Sequence, residues 1–376
     1  MKAQVKCLII MVWGLTPVAL QTSIVLLLMA AAPVGVQACR LLEPPAGQQN
    51  TLWVHIEGPC LPEERRAFAV KAADVLQALE QGKSLDLQGV LVVDDLMLDH
   101  LPVQSVSESF GIPSGIRDRL QQRRLERVRV ITGEMHIREA LFEKVLATNL
   151  GSDLLIILGE VDLTGTVFHQ SVDFSNIVFA RPFIFANVQV EYEGFFIGAQ
   201  FEQAADFSHV MFGTHSRFHK AVFRDRVTFS NTDFKGVTEF LEVEFQQATD
   251  FSRVHFFSGT GFSGSVFHGP VDFSKATADK ELYFRFAEFK QTVSFREAQF
   301  HNIVDYTNAR FDGDQDFSKV QFAVKPEFSG SNFSLDVPTS WDWEDQKSQL
   351  VILCGLVVVV LIFLWASKRK PKGKSA

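Results

Sequence analysis

The chain has 376 residues, 47% of them hydrophobic, and its 36 phenylalanines stand against 3 tyrosines and 5 tryptophans. Phe buries a ring with no polar tip in need of a partner, so the bias points to a fold that buries one ring type again and again. The formal charge of −8 is unevenly spread: the first 38 and last nine residues hold seven basic groups and no acid, leaving a body of 29 basic and 44 acidic residues, net −15, which argues against binding a nucleic-acid backbone.

At the N-terminus Lys2 and Lys6 precede an apolar stretch that closes with Ser23–Ala32, and Val36-Gln37-Ala38 leads into Cys39. Basic, apolar and small-residue regions in that order predict a secretory signal peptide over 1–38. The leader is long, so an uncleaved anchor is the competing reading; a lipidated Cys39 is a third, which Gln37 fits poorly. Cys7 and Cys354 fall in apolar segments, whereas Cys39 and Cys60 belong to the exported body. The latter two are candidates for a disulfide in an oxidising compartment. A disulfide and a lipid at Cys39 exclude each other.

Residues 39–84 form an N-terminal segment. Within it, 62–81 opens with Pro62-Glu63-Glu64, carries Phe68, Val70, Val75, Leu76 and Leu79, and meets Gly82 at its end, which predicts a helix. Leu87, Val92, Leu98 and Val103 are then spaced five, six and five. An inserted excursion over 105–130 carries Arg117, Arg119, Arg123, Arg124, Arg127 and Arg129, with Leu120, Leu125 and Val128 on one helical face. That cluster is a candidate for anionic headgroups or an acidic partner, or a solvated insertion. Residues 131–167 resume the spacing less regularly.

From Phe168 to Phe333 the large apolar positions alternate by six and five without a break: Phe168, Phe174, Phe179, Phe185, Val190, Phe196 and onward. At about 100° per residue such positions would spread all around an α-helix. Two residues before each sits a second, smaller apolar one, such as Val172, Ile177, Ala199 or Val227. Positions i−2 and i share a face of an extended segment, so each unit sends one large and one small side chain inward and then turns. Phe207, Phe229, Phe251, Phe273 and Phe317 are each followed by Ser, and Asp206, Asp250, Asp272 and Asp316 precede four of them. The pattern therefore repeats best at every fourth unit, two sixes and two fives. Four units per coil make a four-sided cylinder, on the order of 36 Å long at about 4.8 Å per coil.

Units such as Val172-Asp173-Phe174-Ser175-Asn176 and Ala205-Asp206-Phe207-Ser208-His209 resemble the motif of the pentapeptide-repeat family. The resemblance implies an all-β solenoid, a right-handed quadrilateral parallel β-helix, here over 85–335. The extra residue in every second unit departs from strict fives and is similar to a Phe-rich branch of the family. An open coil is a sheet edge that needs a cover, and the short helix at 62–81 is the candidate N-terminal cap. The family implies no single function; some soluble members resemble DNA in shape and charge and act on topoisomerases.

The candidate sites are sparse. The row Asp206, Asp250, Asp272, Asp316 can hold a cation or offer an acidic strip, or each Asp can hydrogen-bond its own turn. Phe195, Tyr283 and Phe257 lie beside core positions and are expected to point outward, where they can mark a partner surface. His215 and His219 fall in consecutive turns and read as solvated rather than metal-binding. Gly261-Phe262-Ser263-Gly264 is similar to a nucleophile elbow, but Ser265 replaces the last glycine and Phe262 is a core position. No phosphate loop, paired-cysteine motif or acid–base dyad is present, so the expectation is a non-enzyme without a cofactor.

After a linker at 336–347, residues 348–366 carry no charge and are long enough to cross a bilayer as a helix. Trp341, Trp343 and Trp365 flank the span, and the five basic residues of the tail at 367–376 are expected to stay cytoplasmic. The sequence thus predicts a single-pass protein of a bacterial cell membrane with an extracytoplasmic body. That body is expected to be a scaffold or interaction module for a protein partner, tied to the membrane by its C-terminal transmembrane helix and binding no nucleic acid. Two alternatives remain open: an acidic DNA-mimic that binds a topoisomerase, and a cation-binding envelope protein.

Overall fold

A computed structural model describes residues 39–335, apart from 108, 110, 149 and 152. The leader, the linker, the apolar run at 348–366 and the basic tail lie outside the described residues. Most inward pairs form strands of only two or three residues. Such strands cannot stand alone; each is held by the equivalent strand of the coil before it. The chain is a parallel β-solenoid of about nine turns with a few helices. Among the described residues the strands fall into four sheets of 12, 10, 9 and 10, here called faces 1 to 4 in the order the chain visits them. One coil passes through Ala205–Asp206, Met211–Phe212, His215–Arg217 and Val222–Phe223. On face 1 Ala205 pairs with Val227, and on face 4 Val222 pairs with Glu244. Each coil therefore advances by the full four-unit repeat of the sequence.

Two of the four corners turn through a left-handed residue: His209, Asn231 and Arg253 after face 1, Lys220, Glu242 and Gly264 after face 3. These are the five-residue steps. The other two corners turn without a positive φ and take six, so the alternation in the sequence records two kinds of corner. Inside, rings one coil apart stack along the axis, and rings of the opposite faces 1 and 3 meet edge-on. Phe229 lies 4.8 Å from Phe251 at 3° and 5.3 Å from Phe240 at 83°. Both arrangements suit the ring quadrupole.

The N-terminal end is built differently. β1 (Arg40–Leu41) runs antiparallel to β2 (Thr51–Glu57), and β2 lies parallel on β3 (Ser84–Gln88), extending face 1 by a layer that the hydrophobic pattern did not anticipate. The helix expected over 62–81 is divided into α1 (Pro62–Arg65), a 3₁₀ turn at Arg66–Phe68, and α2 (Ala72–Glu80). The break has a cause, since Val70 leaves the helical path to bridge Val92 on face 2. Ala72, Val75, Ala78 and Leu79 of α2 are buried against the first coil.

The excursion is a strand–helix–strand unit of β4 (Val103–Ser105), α3 (Ser114–Gln122) and β5 (Arg127–Ile131). β4 pairs antiparallel with β5, and β5 joins face 4, so both ends of the 105–130 segment belong to the sheet. The helical face through Leu120, Leu125 and Val128 does not form: α3 stops at Gln122, Arg124 turns at φ 56°, and Val128 lies in β5. Val106, Ile112, Ile116 and Leu120 instead pack on Val128, Leu154, Ile156, Val178 and Ala180. This second core explains why outward positions of face 4 are apolar there, for without the excursion they would face water. At the far end Phe317, Phe328 and Phe333 are only partly buried among the described residues. Among those residues no helix is long and apolar enough to cross a membrane.

Candidate interaction faces

The aspartates of the row share one column of face 1, with Thr228 between Asp206 and Asp250 and Ser294 between Asp272 and Asp316. Each directs Oδ1 at its own turn. Asp206 accepts the Ser208 N–H at 2.8 Å, Asp250 that of Ser252 at 2.7 Å, Asp272 that of Ser274 at 2.7 Å, and Asp316 that of Ser318 at 2.8 Å. Bonds from the Ser318 hydroxyl and N–H hold Asp316 below the ordinary carboxylate range. A charged acceptor beside a turn N–H is stronger than a neutral one, so the row rigidifies the corner. It also leaves a fixed line of second carboxylate oxygens along the rod.

Beside that line runs a groove of 770 Å³. Pro182, Ala204, Ala248 and Pro270 keep one flank low, interrupted by Arg226, and Asp206, Asp250 and Asp272 stand along the other. The low flank follows from the coil register, which stacks Pro182 on Ala204 and Ala248 on Pro270, with Arg226 in the coil between the two pairs.

The arginines divide into two sets. Arg117 donates to the carbonyls of Val106 and Ser109 at 2.8 and 2.9 Å, and Arg129 to those of Asp99 and Leu101 at 3.0 Å each. Arg119 pairs with Glu202, which also takes Arg224 at 3.0 Å. Arg119 and Arg129 bind the excursion to the rod, whereas the bonds of Arg117 stay within the excursion. Arg123, Arg124 and Arg127 are exposed at its tip.

Phe195 and Tyr283 occupy one outward column of face 3, each under a guanidinium: Arg217 lies 5.7 Å from the Phe195 ring and Arg285 4.9 Å from that of Tyr283. Phe257 is on face 2, between the Lys235 ammonium at 3.6 Å and the His255 ring at 3.6 Å. His215 and His219 converge with Arg217 on Glu239, at 3.3, 3.2 and 2.9 Å. Sequence reading passed over Glu239, although the repeat sets it directly above Arg217 in the next coil. Among the described residues no cluster has the makings of a metal site. The structure therefore spreads the candidate residues over separate faces and brings together only the acidic row and its groove.

Cys39 and Cys60 are joined in a disulfide, with Cα atoms 4.9 Å apart. It ties the start of β1 to the loop after β2.

A family model described as pentapeptide repeats (9 copies) matches residues 254–299. No curated protein and no solved structure matches the chain.

Proposed function

We propose that the chain is a non-enzymatic scaffold, a rod held at the outer face of a cell membrane by its C-terminal apolar segment and offering face 1 to a protein partner. The acidic row beside the groove carries this reading. Carboxylates fixed by their own turns need no ordering on contact, which lowers the cost of association, and their line gives electrostatic register to a partner with a basic edge. The Cys39–Cys60 disulfide supports an oxidising compartment, and the basic tail supports a cytoplasmic C-terminus.

Two measurements test the proposal. A periplasm-active reporter fused after residue 340 is expected to be active; activity of a cytoplasmic reporter alone overturns the topology and revives the DNA-mimic reading. Crosslinking from membranes is expected to capture a protein whose yield falls when Asp206, Asp250 and Asp272 are all changed to Asn. Asn keeps the acceptor for the turn but removes the charge, so an unchanged yield removes face 1 from the argument.

A further inference from the structure

Face 3 contains a bare rung. In the coil Gly259-Thr260-Gly261-Phe262-Ser263-Gly264 the outward positions carry Gly259 and Gly261, where the coil before has Val237 and Glu239 and the coil after has Glu281 and Tyr283. Neither glycine occupies the left-handed region. A Cβ on Gly259 would meet nothing within 4 Å, and one on Gly261 only the tip of Leu241 at 3.2 Å. The backbone does not require glycine here, and a strand is weakened by it. A strand glycine with no conformational reason often marks close approach by a ligand.

The bare rung is the floor of a pit of 340 Å³. Leu241 and Glu239 wall one side, Tyr283 and Arg285 the other, and Ser263 lies on the floor. This is the Gly-Phe-Ser-Gly run that resembles a nucleophile elbow in sequence; here Phe262 is in the core and Ser263 is part of a binding surface. Just past the rim Phe286 is 62% exposed, with its backbone in the left-handed region. That conformation is costly for a bulky side chain.

We infer that this pit binds a neutral, hydroxyl-rich ring, a pyranose unit of a glycan chain. Four observations select that class. Glu239 is already surrounded by Arg217, His215 and His219, and Arg285 bonds Asp305, so a charged ligand finds its counter-charges engaged. The strand through Gly261 is paired on both sides, so no sheet edge is open to an extended peptide. Leu241 and the Tyr283 ring, one face of which carries Arg285, offer an apolar surface for the C–H face of a sugar, while the carboxylate, guanidinium and hydroxyl lining the pit suit its hydroxyls. The volume falls at the lower end of small-molecule sites, and the pit opens onto the length of face 3, where a polymer can continue.

The test is saturation-transfer NMR on the full chain in detergent micelles, with chitotriose and maltotriose as probes and spermidine as a competitor. The expected result is saturable transfer to ring protons of one trisaccharide, lost in the double variant Gly259→Val, Gly261→Thr and weakened in Tyr283→Ser. The double variant is expected to melt no lower than the parent, since β-branched residues replace strand glycines, so lost binding cannot be ascribed to unfolding. Absence of transfer to either sugar, equal transfer in the double variant, or displacement by spermidine each overturns the assignment. None of these outcomes bears on the role proposed for face 1.

Discussion

The coils between Phe196 and Phe295 and the N-terminal end from Cys39 to Ile131 solve the same problem by different means. In the first region every inward ring is held by the coil on either side, as where Phe240 stacks on Phe218 at 4.6 Å and on Phe262 at 4.8 Å. In the second the core is aliphatic, with Leu85, Leu87, Val92 and Leu98 fully buried, and the outermost layer relies on α2, β1 and β2, and a disulfide. A solenoid interior needs only copies of its neighbour, because each repeat contacts only the adjacent ones. A terminus lacks one neighbour, so it needs parts that belong to no repeat.

Four perturbations break or sharpen this contrast. Phe229→Ala and Phe251→Ala remove rings from the middle of the stack, and each is expected to cost about 3–5 kcal/mol in denaturant unfolding; Phe333→Ala, at the partly exposed end, should cost clearly less. Equal small losses would contradict the stacked core. Next, replacing Cys39 and Cys60 together by Ser is expected to cost about 3 kcal/mol for a loop of this length. Hydrogen exchange should place the loss in β1 and β2 and leave the coil of Phe229 protected; uniform loss of protection would mean that the end and the middle unfold as one.

Tyr306→Phe has the opposite sign. Its ring is stacked between Phe284 and Phe328, and its hydroxyl is buried with no hydrogen-bond partner among the described residues. Removal of an unpaired buried hydroxyl is expected to stabilise the rod by about 1 kcal/mol. Burial also pushes the phenol well above its ordinary value. A folded value above the unfolded one contributes stability that is complete below the unfolded value and is lost as pH rises beyond it. The parent should therefore weaken above about pH 10 more steeply than Tyr306→Phe, as followed by melting temperature against pH. Smallest of all, Ser230→Ala at an outward turn is expected to change stability by less than about 0.5 kcal/mol.

Much of the architecture was legible because a fixed repeat along the chain is a one-dimensional signal. The alternation of six and five located the large inward positions, and the Asp-Phe-Ser runs located one corner; neither depends on contacts distant in sequence. The excursion was legible as an interruption but not as a structure. Its apolar residues satisfy a helical pattern over Leu120, Leu125 and Val128, yet the outward Ile156 and Val178 recruit them in a different arrangement, and those partners are invisible to a local pattern. The β2 layer was missed for a related reason: Leu52 and Val54 are partly buried and outside the repeat. Of the candidate surface, the acidic row was legible from spacing alone. The groove beside it and the bare rung at Gly259 and Gly261 became visible only when consecutive coils were set side by side.

By itself the sequence determined the inward ladder, the length of a coil and the partition of charge, because these follow from residue type at fixed intervals. The tertiary structure alone decided which arginines are bound to carbonyls and Glu202, how the first coil is covered, and which outward side chains share a face. Those outcomes depend on residues brought together across whole coils, where packing and hydrogen bonding choose among arrangements that local periodicity leaves equal.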